Sequence, residues 1–119
     1  MPFPVPTTPA MTTVEDNYKA WMAVGATEAD VKPMLAGGVE LYDYDADEYR
    51  YGPDKVADYL VNTIKPQMKD PPGPKFEAVG TNVCLCTNQT NRPSRGQCRD
   101  VVAVDDANLV TRIDICVPK

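Results

Sequence analysis

The sequence predicts a single α+β domain in which three short helices and a curved sheet enclose an apolar pocket carrying carboxylates. Three observations lead there. Apolar residues recur at helical spacing in the first half of the chain. Strand-like runs, separated by turn residues, fill the second half. Two aspartates, Asp43 and Asp100, fall on otherwise apolar strand faces. A length of 119 residues suits one domain and leaves no room for a second. Residues 1–12, with prolines at positions 2, 4, 6 and 9, read as an extended or disordered lead-in, and residues 13–119 as the domain.

The first helix is expected to begin near Thr12 or Thr13, where Thr12 and Glu15 have capping-box spacing. Val14, Tyr18, Trp21 and Met22 then form one apolar face, and Gly25 ends the helix. Thr27 or Asp30 can cap a second, shorter helix. Pro33 breaks one begun at Thr27 but is tolerated in the first turn of one begun at Asp30. Met34 and Leu35 supply its apolar contacts, and Gly37-Gly38 is expected to stop it. Val39 to Asp43 alternates as a strand, with Val39, Leu41 and Asp43 on one face and Glu40 and Tyr42 on the other. Tyr44 to Tyr51 reads as an acidic, tyrosine-rich connection. Gly52-Pro53 opens a third helix with Asp54 in its first turn; Val56, Tyr59, Leu60 and Ile64 are its buried stripe, and Pro66 closes it. Four strands are expected to follow, at Phe76 to Val79, Asn82 to Asn88, Gln97 to Val104 and Leu109 to Val117. Turns lie at Asn91 to Gly96 and Asp105 to Asn108. Cys98, Asp100, Val102 and Val104 share a face.

Composition excludes several function classes. A net charge of −5 repels phosphate backbones and anionic lipid, so neither nucleic acid nor a membrane surface is an expected partner. No apolar run approaches the ~18 residues of a membrane span. The N-terminus has no basic region and no apolar run, so it does not read as a secretory signal, and a cytoplasmic location is expected. The chain has no histidine, which removes Ser-His-Asp and Cys-His nucleophiles, His general bases and His-ligated zinc. Acid–base work must fall to Asp, Glu, Tyr, Lys or Cys. Cys84, Cys86, Cys98 and Cys116 read first as small hydrophobes packed in a sheet, in a reducing compartment. Their even count also permits a disulfide, and a metal site is the third alternative, although Cys84-Leu85-Cys86 is tighter than zinc prefers. Asn88-Gln89-Thr90 matches a glycosylation sequon that stays silent without secretion. The run Asp45-Ala46-Asp47-Glu48 lacks the glycine and spacing of a calcium loop and reads as a solvated acidic turn.

The order helix, helix, strand, helix, strand meander resembles the cone-shaped fold of the nuclear transport factor two-like superfamily, which includes ketosteroid isomerases, SnoaL-type polyketide cyclases and limonene epoxide hydrolases. The resemblance runs from Val14 to Val117. It is carried locally by the Val39-to-Asp43 strand, by Arg50-Tyr51-Gly52 before the third helix, and by Asp100-Val101-Val102-Ala103-Val104-Asp105. It implies a curved, mostly antiparallel sheet and a cofactor-independent isomerase, cyclase or lyase acting on a small apolar or aromatic carbonyl compound, and a homodimer. In ketosteroid isomerases an aspartate ending the first strand is the base, while a helix-one tyrosine and a protonated late-strand aspartic acid hold the oxyanion. By that resemblance Asp43 is the base, Asp100 the acid, and Tyr18, one residue from the family's position, the tyrosine. In SnoaL-type cyclases the late-strand aspartate is itself the acid–base group, a role open to Asp100. The Asp-Arg-Asp set of the epoxide hydrolases is not matched, because Arg99 and Asp100 lie on opposite strand faces. Trp21, Met22, Val39, Leu41, Tyr59, Leu60 and Val102 are the expected pocket lining.

Plainer readings stand beside these. Asp43 can be the first residue of a solvated loop, and Asp100 can form a cross-strand salt bridge with Arg112. Tyr18 and Trp21 can be ordinary core. Tyr42, Tyr44, Tyr49 and Tyr51 can rim a pocket, bind an aromatic ligand or cover a dimer partner. The competing function is a non-catalytic module that carries a small ligand or dimerises through its sheet.

Overall fold

A computed structural model of the chain describes residues 13–17, 26–68, 75–87 and 98–118. Helix α1 is described over residues 13–17, where Val14 is buried. Helix α2 spans Glu28–Val31 and passes into a 3-10 turn at Lys32–Met34. Thr27 caps it: the Thr27 amide donates to the Asp30 carboxylate at 2.8 Å, and the Asp30 amide donates back to the Thr27 carbonyl at 3.0 Å. The cap therefore lies at Thr27, and the chain accommodates Pro33 by tightening to 3-10 geometry before the proline can interrupt an α-helical bond.

Six strands form one sheet in the order β2-β1-β6-β5-β4-β3. They are β1 Leu35–Asp43, β2 Glu48–Tyr51, β3 Lys75–Ala78, β4 Val83–Thr87, β5 Cys98–Val104 and β6 Val110–Pro118. The β1–β6 pair is parallel and every other pair is antiparallel. The last four strands lie within one or two residues of the positions read from sequence. Two earlier expectations are corrected. Gly37-Gly38 does not stop a helix; β1 begins at Leu35 and runs through both glycines, where its register against β6 shifts. The expected connection from Tyr44 to Tyr51 holds strand β2, a hairpin partner of β1, and the turn is made at Asp47, whose φ is 53°.

Helix α3, Pro53–Tyr59, starts as expected with Pro53 in its first turn behind Gly52, whose φ of 92° suits glycine. It widens into a π turn at Leu60–Ile64 and ends in a 3-10 turn at Lys65–Gln67 around Pro66. Its buried residues, Val56, Ala57, Tyr59, Leu60 and Ile64, meet Val39 and Leu41 of β1, which are sealed from solvent together with Cys84 and Cys86 of β4. Among the described residues the helices cover one sheet face, so the strands alternate in burial. Glu40, Tyr42, Arg112 and Asp114 thus lie on the outer face, while Val39, Leu41 and Asp43 point inward. Among the described residues no helix is long and apolar enough to cross a membrane.

Candidate functional site: an apolar hollow with two polar side chains

Asp43 and Asp100 are the buried polar residues of the described core, 1% and 6% exposed. Both belong to the inward face, but the fold does different things with them.

At Asp43 the strand ends and the chain turns into β2. Oδ1 accepts the amide N–H groups of Asp45 at 3.0 Å and Ala46 at 3.2 Å, closing an Asx turn. Oδ2 accepts the Tyr59 hydroxyl of α3 at 2.6 Å, a charge-assisted bond that ties helix to hairpin. Burial first, and then the bond to Asp43, push the Tyr59 phenol well above its ordinary pKa. The Arg50 guanidinium stacks over the same ring, 4.8 Å from its centroid. Asp43 is thus neither a solvated loop residue nor a group facing open space.

Asp100 sits where β5 and β6 fall out of step. Arg99 pairs with Val117 and Val101 with Asp114, so the single residue Asp100 faces both Ile115 and Cys116. This is a β-bulge, and Cys116 takes a φ of 60° within it. Its amide is turned away from the ladder, and the Asp100 Oδ1 accepts that N–H at 2.9 Å. Cys116 is also joined to Cys98 by a disulfide, so for this pair the disulfide alternative replaces the reduced one; Cys84 and Cys86 lie outside the bridge and are both buried. The alternative of an Asp100–Arg112 salt bridge is not realised. Arg112 lies on the outer face opposite Ala103 and binds Asp114, with N–O distances of 2.9 to 3.2 Å, and Glu40 at 2.8 Å.

Asp100 lines a hollow of about 40 Å³ between the helices and the sheet. Its apolar lining includes Val31, Leu60, Val102 and Ile113. Leu60 and Val102 were expected there; Val39, Leu41 and Tyr59 pack in the core without bordering it. Asp43 does not border it either. Tyr18, Trp21 and Met22 lie outside the described residues. The residue that sequence reasoning missed is Asn17 of α1. It lines the hollow, and its side-chain Nδ2 is shut off from solvent without a hydrogen-bond partner. The signal was faint: Asn17 precedes Val14's i+4 neighbour Tyr18, and an apolar-face count passes over an asparagine at i+3. Among the described residues the site therefore offers one carboxylate and one amide donor on apolar walls. Among the described residues no group of three or more acidic or cysteine side chains gathers to hold a metal.

Solved structures place the architecture. A SnoaL-like protein of unknown function from Burkholderia thailandensis superposes with a TM-score of 0.61 at 15% identity, over 93% of this chain and 96% of that one. A Mycobacterium tuberculosis protein solved in complex with estradiol-17β-hemisuccinate superposes at 0.62 with 11% identity, covering 90% and 92%. A bacterial protein with a cystatin-like fold from Silicibacter pomeroyi gives 0.64 at 14% identity, covering 89% and 74%. No protein-family model and no curated protein matches the sequence. The chain has the cone-shaped α+β fold of the nuclear transport factor two-like superfamily.

Proposed function

We propose that this chain binds a small, largely apolar molecule between its helices and sheet, with Asp100 and Asn17 as polar anchors. The observation that carries the reading is the unpartnered Asn17 amide in the same hollow as the Asp100 carboxylate. Buried polar groups in a finished core are satisfied, and one without a partner marks a place where a ligand atom belongs. The preferred ligand presents an acceptor, such as a carbonyl or ether oxygen, to Asn17 and a hydroxyl to Asp100. The likeness to a protein solved with a steroid ester agrees with an apolar ligand.

A hollow of about 40 Å³ accommodates roughly three water molecules. Ordinary ligand sites measure about 300–1,000 Å³, so a ring-sized ligand must bind a wider state than the one described. Titration with estradiol-17β-hemisuccinate, followed by tryptophan fluorescence, tests this. Saturable binding that weakens about tenfold in both Asn17→Ala and Asp100→Asn supports the site; no saturable binding, together with a native mass spectrum free of retained small molecules, refutes it.

Proton transfer on a bound carbonyl compound, as in an isomerase, cyclase or lyase, is the second reading, favoured by the presence of a carboxylate at the hollow. In this form Asp100 moves the proton and the Asn17 amide donates to the developing oxyanion. Asp43 takes no part in it, since three hydrogen bonds occupy its carboxylate away from the hollow. Deuterium uptake next to the carbonyl of 2-indanone in heavy water, lost in Asp100→Asn, supports catalysis; uptake no faster than in buffer restricts the protein to binding. The outer face bears Tyr49 and Tyr51, 48% and 56% exposed, beside Glu40 and Tyr42. This suits self-association, and light scattering at the mass of two chains supports a homodimer there.

A further inference from the structure

The opposite end of the outer sheet face carries a second, larger opening, a groove of about 420 Å³ over β3, β4 and β5. It is distinct from the hollow, sharing none of its described lining residues. Its walls are Lys75, Phe76 and Glu77 of β3, Leu85 and Thr87 of β4, and Arg99 of β5.

Arg99 is the unusual member. Its Nε is sealed from solvent and has no hydrogen-bond partner. Elsewhere on the same sheet the fold satisfies its arginines: Arg112 binds two carboxylates, and Arg50 binds Glu48 and the Tyr49 carbonyl. A guanidinium cannot relieve its burial by losing a proton, so a shielded N–H without an acceptor waits for one. None of the salt bridges of the described residues involves Lys75, Glu77 or Arg99. Among the described residues the groove thus holds two cations against one carboxylate, an excess of one positive charge on a chain whose net charge is −5. Leu85 gives it an apolar floor, and the Thr87 hydroxyl adds a donor.

We infer that this groove binds a small molecule bearing one carboxylate on an apolar body. The carboxylate accepts from the Arg99 fork, with Lys75 and Thr87 beside it, and the body lies on Leu85. Glu77 repels additional negative charge, so a monocarboxylate is preferred over a phosphate dianion.

Titration of the full chain with sodium benzoate at constant ionic strength, read by the Arg99 Nε–H signal in proton–nitrogen NMR, is the test. The expected result is a saturable shift of that signal while the methyl signals of Ile113 and Ile115, which border the hollow, stay in place. Affinity is expected to fall at least tenfold in Arg99→Gln and about threefold in Lys75→Gln, and inorganic phosphate is expected to compete poorly. Because Lys75 is exposed, Lys75→Gln keeps the test decisive should Arg99→Gln fail to fold. A shift equal to that caused by sodium chloride, or unchanged benzoate affinity in the variants, overturns the inference. So does an Arg99 signal that moves on dilution of the protein alone, which assigns the acceptor to a second copy. Methyl shifts at Ile113 and Ile115 with a still Arg99 signal place benzoate in the hollow, which overturns the groove and leaves the proposed function intact.

Discussion

Asp43 and Asp100 share residue type, inward orientation and near-complete burial, and they differ in what lies beside them. Asp43 spends both oxygens on three donors, two turn amides and the Tyr59 hydroxyl. Asp100 Oδ1 accepts a bulge amide, and the residue borders the hollow. Burial alone therefore does not mark a carboxylate as a ligand contact or a base. A carboxylate bonded to a turn and a helix ties the fold together, and one that borders a hollow is placed to meet a ligand as well.

Removing Asp43 is the strongest way to break this contrast. Asp43→Ala strands a buried tyrosine hydroxyl and two turn amides, and it is expected to cost about 3–4 kcal/mol in urea unfolding. If Asp43→Ala is instead nearly neutral while Asp100→Ala unfolds the protein, the roles are reversed. The disulfide comes next. Cys98 and Cys116 are 18 residues apart in sequence, and replacing both by alanine is expected to cost about 3 kcal/mol by releasing a loop of that size in the unfolded chain. Because the bridge also holds the residue whose amide binds Asp100, hydrogen exchange at the Cys116 amide should rise more than at the Asp45 and Ala46 amides. Equal acceleration at all three would show that the two aspartate regions are not independent.

Legibility in the sequence followed burial pattern. Strands β4, β5 and β6 and helix α3 each have one wet and one dry face, and their residues say so in their spacing. Strand β2 has no dry face: three of the four residues Glu48–Tyr51 are exposed, so no alternation announces it and only pairing with β1 makes it a strand. Gly37-Gly38 carries the same local signal whether it ends a helix or loosens a strand, and the choice is made by β6 alongside. The inward placement of Asp43 and Asp100 was visible from period-two counting. Their partners were not, because the Tyr59 contact spans helix and strand and the Cys116 amide is freed by a bulge. The disulfide depends on that same bulge, which no cysteine spacing reveals. Asn17 was passed over because a helical face was counted by its apolar members alone.

Tyr59→Phe tests the Asp43 side more gently. It removes one buried hydrogen bond to a carboxylate and is expected to cost about 1–2 kcal/mol. It also carries a pH signature. The fold keeps the Tyr59 phenol protonated, whereas the unfolded chain releases that proton near pH 10. This contribution to stability is therefore whole below pH 10 and is lost as pH rises beyond it. Tyr59→Phe should flatten the alkaline fall in stability relative to the parent chain; an unchanged slope would mean that the outer-face tyrosines Tyr42 and Tyr49, whose phenols are also raised, account for it.

The smallest stability effect is expected at Asp100→Asn, and that smallness is informative. Asparagine retains a side-chain oxygen for the Cys116 amide, so the bulge keeps its acceptor and the loss should stay near or below about 1 kcal/mol. What changes is the charge at the hollow and half of its accepting capacity. A ligand hydroxyl that donates to the Asp100 carboxylate then meets an amide, and charge-assisted bonds of that kind are roughly twice as strong as neutral ones. Binding should therefore weaken far more than folding does. Measured side by side, urea midpoints and ligand affinity separate at Asp100 if the hollow is a ligand site, and they fall together, as they should at Asp43, if Asp100 serves the fold alone.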